Sequence, residues 1–173
     1  MADSTPLEPD QMAAYLALME VGSLLQHAVD QQLRESGGLT YTQLQILAAL
    51  ENSPQGALRM TDLADSIVYS RSGLTYQVTR MTAAGLVTRA TADDDERSIV
   101  VTPTASGREA LGLALPGHVA VVRDLLTDQL TGPETAALAR ALGRVRDRMR
   151  TRPPRSTAGQ TRVKSPSFHD RPK

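Results

Sequence analysis

The stretch YSRSGLTYQVTRM, Tyr69 to Met81, decides how the rest of this chain is read. Leu74, Val78 and Met81 fall at i, i+4 and i+7, one face of a helix. Arg71, Ser72, Thr75, Tyr76 and Thr79 fall mostly on the opposite side, with Gln77 nearer the flank. Ser70 is a good N-cap, and Gly85 in AAGL is a good C-terminal cap. Gly73 costs a helix roughly 1 kcal/mol relative to Ala, so its presence points to a close backbone approach. Taken alone, the segment is an amphipathic surface helix, and its neighbours change that reading.

Just before it, TDLADSIV reads as a short helix with Leu63, Ala64 and Ile67 inward. A short helix, the brief turn VYS and a second helix with a polar outer face make a helix-turn-helix. Just after it, LVTRA and SIVVT are β-rich runs separated by TADDDER, a hairpin with a charged tip. A hairpin in that place is a wing. The expected fold is therefore mainly α with a small β-hairpin wing: a winged helix-turn-helix plus a helical dimerisation region.

The second helix of such a unit lies in the DNA major groove and reads base edges from its N-terminal part. Arg71 suits guanine or phosphate, and Gln77 suits adenine where it faces out. Ser72, Thr75 and Thr79 are short donors and Tyr76 a longer one, while Ser70 could hold a phosphate as well as cap. Arg80, Arg97 and Ser98 complete the candidate DNA-contacting set. Arg97, near the wing tip, suits a minor groove; the plainer reading pairs it with the carboxylates beside it. Asp93, Asp94, Asp95 and Glu96 would repel phosphates. Either the tip bends away from DNA or some of these acids orient arginines, and Asp95 is the candidate for that role.

Outside this unit the pattern is helical. Residues 1–9 read as a flexible arm. From about Asp10, Leu18, Val21, Leu25, Ala28 and Leu33 mark one helix face, ended by the Ser36–Gly38 stretch. Thr40 with Gln43 fits a capping box before Tyr41, Leu44, Leu47 and Ala48. ALRM, Ala57 to Met60, fits a short strand. Thr104 starts a long helix expected to reach about Leu130, with Leu111, Leu115, Val122 and Leu125 inward and a kink or break at Pro116-Gly117. Thr131 with Glu134 signals a last helix, in which Leu138, Leu142, Val145 and Met149 form a seam close to that of a coiled coil. Beyond Arg150 the Pro, Ser and Arg content fits a disordered tail.

Composition narrows the function. The 173 residues include no Cys, which excludes thiol catalysis, disulfides and zinc-thiolate sites. The zero net charge hides an asymmetry. Residues 1–143 carry 9 basic and 17 acidic side chains, residues 144–173 carry 10 and 2. A basic segment on an acidic body points to a partner, often nucleic acid. His27, His118 and His169 lie on separate segments at no ligand spacing, so no metal site is expected. No phosphate loop, nucleophile elbow or HExxH occurs, so neither catalysis nor a cofactor is expected. His118 beside Pro116 fits a buried or interface histidine, or alternatively the lining of an effector pocket. No signal peptide or membrane-length stretch is expected.

LTYTQLQILAAL, LADSIVYSRSGLTYQVTRMTAAGLVTR and DDDERSIVVTPTASGREAL together resemble the multiple antibiotic resistance regulator (MarR) family. The wing signature, Asp95-x-Arg97-Ser98 followed by a β run, Thr104 and Gly107, is the most specific part. Pro103, Met81 and Thr79 depart from the family's usual leucine, leucine and acid, and Thr79 leaves Arg80 or Arg97 without one partner. The resemblance implies a cytoplasmic, nucleoid-associated bacterial regulator, usually a repressor. It implies a homodimer on a pseudo-palindromic site in double-stranded DNA, often released by a small aromatic ligand. The parts it implies are a MarR-like domain at 10–150, with dimerisation helices at 10–36 and 104–150 and the winged helix-turn-helix at 39–103, followed by the basic tail at 151–173. The alternative is a winged-helix protein whose partner is another protein.

Overall fold

The computed structural model describes residues 5–36, 38–67, 69–92 and 95–151. Gly37, part of the expected stop signal, lies outside them, as do residues 1–4 of the arm, the Asp93-Asp94 tip and the tail beyond Thr151. The elements are α1 (Pro9–Glu35), α2 (Tyr41–Glu51), β1 (Leu58–Arg59), α3 (Met60–Ser66), α4 (Arg71–Ala83), β2 (Val87–Ala92), β3 (Asp95–Pro103), α5 (Ala105–Leu125) and α6 (Gly132–Arg150). A 3-10 turn at Thr127–Gln129 joins the last two helices. The mainly helical architecture with a hairpin wing is as expected. The hairpin gains a third strand, because β1 pairs antiparallel with β3 and gives the order β1-β3-β2.

Local caps set most boundaries. Thr40 and Thr131 form capping boxes with Gln43 and Glu134, and the Ser70 and Thr104 side chains accept from the Gly73 and Gly107 N–H groups. Gly85 has a φ of 72°, and its N–H and that of Leu86 close the end of α4 on the Thr82 and Met81 carbonyls. That left-handed conformation suits glycine.

The core lies where α2, α3, α4, the C-terminal half of α1, the first half of α5 and the sheet meet. Val29, Leu33, Leu44, Ile46, Leu47, Leu50, Leu63, Leu74, Val78, Met81, Val87 and Val101 are all buried there. Each such side chain contributes about 2 kcal/mol on burial. Ile46 and Leu50 belong to this core beside the expected Leu44 and Leu47, whereas Tyr41 and Ala48 pack only at its edge.

Three expectations need correction. Leu18 and Val21 of α1 are exposed, as are Leu115 and Leu125 of α5; the expected Leu33 and Leu111 are buried, with Val29 and Ala114 beside them. The reason is that the first half of α1 and the last part of α5 extend beyond the core of the single chain. Of the kink or break expected at Pro116, the break does not occur: α5 runs through it, to Leu125 rather than Leu130. Ala110, Leu111 and Ala114 before the proline and Val121 after it pack on the core, and tertiary packing of this kind overrides a local breaker. The helix expected from about Asp10 begins at Pro9, with Glu8 and Gln11 forming a capping box. Finally, α1 and the stretch 105–129 are long and apolar enough, by length and composition alone, to cross a membrane.

Candidate nucleic-acid interface

Helix α4 stands on a fully buried inner face, with Leu74, Val78 and Met81 at 0% exposure. Its opposite face therefore points to solvent. Arg71, Ser72, Thr75, Tyr76, Thr79 and Arg80 are exposed there, Tyr76 at 60%. Gln77 is half-buried on the flank. The Arg80 guanidinium lies over the Tyr76 ring, 5.7 Å from its centroid. Thr75 and Thr79 donate their hydroxyls to the Arg71 and Thr75 carbonyls at 2.9 and 2.8 Å. In that state they offer acceptor lone pairs outward. The Ser70 hydroxyl accepts from the Gly73 N–H at 3.2 Å and keeps its own proton to donate.

Gly73 has a packing reason as well. A Cβ there would lie 2.8 Å from both the Tyr69 ring and the Ser70 hydroxyl. The start of α4 can therefore rest against Tyr69 only while position 73 lacks a side chain.

The wing projects beside α4. Thr91 pairs with Ile99 and the next residue, Ala92, pairs with Asp95, so residues 96–98 have no register partner on β2. Arg97 sits in this bulge and is exposed. Asp95 Oδ1 accepts from the Arg97 backbone N–H at 3.0 Å. The contact between these two residues thus shapes the backbone that carries the guanidinium. Among the described residues Arg71 and Arg97 make no side-chain ion pair.

Three residues outside the candidate set, Arg59, Arg89 and Thr104, tie the wing to its surroundings. Arg59 Nη1 donates to Ser98 Oγ at 3.0 Å, across 39 residues of sequence. Arg89 Nη1 approaches Thr79 Oγ1 at 3.4 Å. Thr104 donates its hydroxyl to the Gly85 carbonyl at 2.6 Å and accepts from the Gly107 N–H at 3.0 Å. Arg59 and Arg89 escaped the sequence reading because no local signal marks a partner 39 or 10 residues away.

A three-stranded wing packed beside a helix pair, with a polar outer helix face and an arginine at the wing bulge, defines a winged helix-turn-helix. Comparison with known proteins narrows the class. A MarR family model matches residues 37–98. AbsC, a MarR family transcriptional regulator of Streptomyces coelicolor, is 32% identical; the match covers 86% of this chain and 99% of AbsC, with a TM-score of 0.78. This chain belongs to the MarR family of transcriptional regulators. Sco3205 of the same organism, another family member, was crystallised in complex with DNA. It is 29% identical over 85% of this chain and 92% of that protein, with a TM-score of 0.78. The uncharacterized HTH-type transcriptional regulator YfiV of Bacillus subtilis is 31% identical over 97 residues, a stretch that spans 58% of its length. These relatives are regulators of transcription, not enzymes.

Proposed function

We propose that this regulator is a homodimer that binds double-stranded DNA sequence-specifically, as a repressor on a pseudo-palindromic operator. The observation that carries the reading is the two-faced α4: a fully buried Leu74, Val78 and Met81 beneath an exposed Arg71, Ser72, Thr75, Tyr76, Thr79 and Arg80. In this reading α4 enters the major groove, with Ser70 and Gln77 at its margins. Arg97 and Ser98 then bring the wing to the minor groove, with Asp95 shaping its backbone. The 29% identity to Sco3205, a protein seen with DNA, supports it.

The dimer is supported by apolar surface. Leu16, Val21 and Leu24 of α1, Val119 and Leu125 of α5, and Leu138, Leu142, Val145 and Met149 of α6 are all exposed in the single chain, and α6 buries no residue. Exposed apolar surface spread over three helices needs a partner, and a second copy supplies the same surface. Regions 10–36 and 104–150 would then dimerise and 39–103 would bind DNA. The two stretches of membrane-spanning length, α1 and residues 105–129, carry apolar residues that this dimer would cover.

A small aromatic effector is the further part of the reading. Among the described residues, Gln32 Oε1 and His118 Nδ1 are buried without a hydrogen-bond partner, and Gln32 lies against Gly117 where α1 meets α5. Buried polar atoms of this kind call for a partner. A ligand hydroxyl or carboxylic acid group could supply one. A shallow cleft of about 710 Å³ lies elsewhere, between Pro54–Asp62 and the wing residues Ala90, Thr91, Ala92 and Val100, and His118 does not line it.

The test is fluorescence anisotropy with labelled DNA from upstream of the protein's own gene, in excess unlabelled competitor and at two salt concentrations. Competitor-resistant, salt-sensitive binding weakened by Arg97→Ala is the expected result. Absence of binding at both salts would overturn the reading in favour of a protein partner.

A further inference from the structure

We propose that Arg59 is a positioning residue for DNA binding, which fixes the bulged wing segment that carries Arg97; the proposal rests on the DNA-binding reading above. Strand β1 consists of Leu58 and Arg59, paired with Val101 and Val100 of β3. β1 supports the sheet no farther toward the tip than Val100. Beyond Ile99 the β2 partner is absent as well, until Ala92 meets Asp95. Residues 96–98 therefore lack the ladder that normally fixes a strand.

Among the described residues, two bonds take the ladder's place. One is local, from the Arg97 N–H to Asp95 Oδ1. The other is the partly buried bond from Arg59 Nη1 to Ser98 Oγ, and it ties the bulge to the helix-turn-helix body. Arg59 can do this because it immediately precedes Met60, the first residue of α3, and its own backbone is held by β1. Its long side chain spans from the body to the bulge, next to Arg97. Without that strut the bulge would keep its internal turn but lose its fixed angle to α4. Arg97 would then search for the groove at an entropic cost.

The experiment is a set of operator affinities for wild type, Arg59→Met, Ser98→Ala and Arg97→Ala, and for each of the first two substitutions combined with Arg97→Ala. Unfolding midpoints and dimer mass are measured alongside. Loss of one groove-inserted arginine should weaken binding about tenfold or more. Arg59→Met is expected to weaken wild-type binding about fivefold, yet less than about twofold once Arg97 is alanine, which is the signature of coupled residues. Ser98→Ala, which changes no charge, should show the same coupling. Equal losses from Arg59→Met in both backgrounds, with Ser98→Ala silent, would show a direct phosphate contact and overturn the positioning role. Should Arg59→Met disturb the fold, the Ser98→Ala pair carries the test alone. Should Arg97→Ala leave affinity unchanged, the wing reading fails and the positioning role with it.

Discussion

Gly107→Ala should destabilise this protein, although alanine is the better helix former. Gly107 lies in the first turn of α5, and a Cβ there would run into the carbonyl oxygen of Leu86. That oxygen accepts the Thr104 N–H at 3.0 Å, which ties the end of the wing to the end of α4. Forcing a methyl against fixed backbone costs about 1–3 kcal/mol. Displacing the Leu86–Thr104 bond costs about 1 kcal/mol more, and the gain in helix propensity returns about 1 kcal/mol. The net loss is about 2 kcal/mol, or a melting temperature lower by about 4–8 °C for a chain of this length. Gly112→Ala in the same helix is the matched control. No atom lies within 4 Å of its would-be Cβ, so it should be neutral or stabilise by up to about 1 kcal/mol. Urea unfolding at one fixed protomer concentration reads both. Equal stability of the two variants would refute the claim that a backbone contact, not helix propensity, explains glycine at 107.

Further expectations can be checked independently. Leu142→Asp with Val145→Asp should give a folded monomer by sedimentation, because both side chains are exposed on a helix that buries none of its own; an intact dimer would refute the interface. The Thr131 hydroxyl, and then its backbone N–H, hold the Glu134 carboxyl below its ordinary value. The α6 start should therefore be stabilised above the ordinary carboxylate range, and lose that support as pH falls through the lower folded value. Glu134→Gln should flatten this part of the stability–pH curve, and an unchanged curve would sink the assignment. Ending the chain after Thr151 removes six basic side chains and one acidic. If they touch phosphates, the log–log salt slope of DNA binding should flatten by roughly 0.9 for each phosphate no longer neutralised, with operator preference retained; an unchanged slope would show that the tail contributes nothing.

What could be read in the sequence is what short-range chemistry decides. Thr40, Ser70, Thr104 and Thr131 each cap the helix they were expected to cap, because a cap needs only a side chain and an N–H three residues on. Leu74, Val78 and Met81 were legible because the helical period alone puts them on one face. Illegible were features that need a distant partner. ALRM read correctly as a short strand, but its pairing with β3, which joins it to the wing, could not be read from it. The periodicity of α1 and α5 marked apolar residues correctly but could not say what covers Leu18, Val21, Leu115 and Leu125. Asp95 shows a finer limit. Its spacing of two residues from Arg97 suggested a guanidinium partner, yet an aspartate reaches the backbone N–H two residues on more readily.

The same distinction bears on how this regulator could respond to a ligand. α5 begins at the Thr104–Gly107 junction, which holds the wing root against Gly85 and Leu86 at the end of α4. It continues unbroken through Pro116 to His118 and the exposed Val119 and Leu125. One continuous helix thus spans the wing root, the polar atoms near Gly117 and the apolar surface assigned to the dimer. On the proposed reading, a ligand between α1 and α5 would act on the wing by displacing α5 as a body, with no need for a separate relay of side chains. Its energetic effect would be bounded by its differential affinity for the two placements of α5.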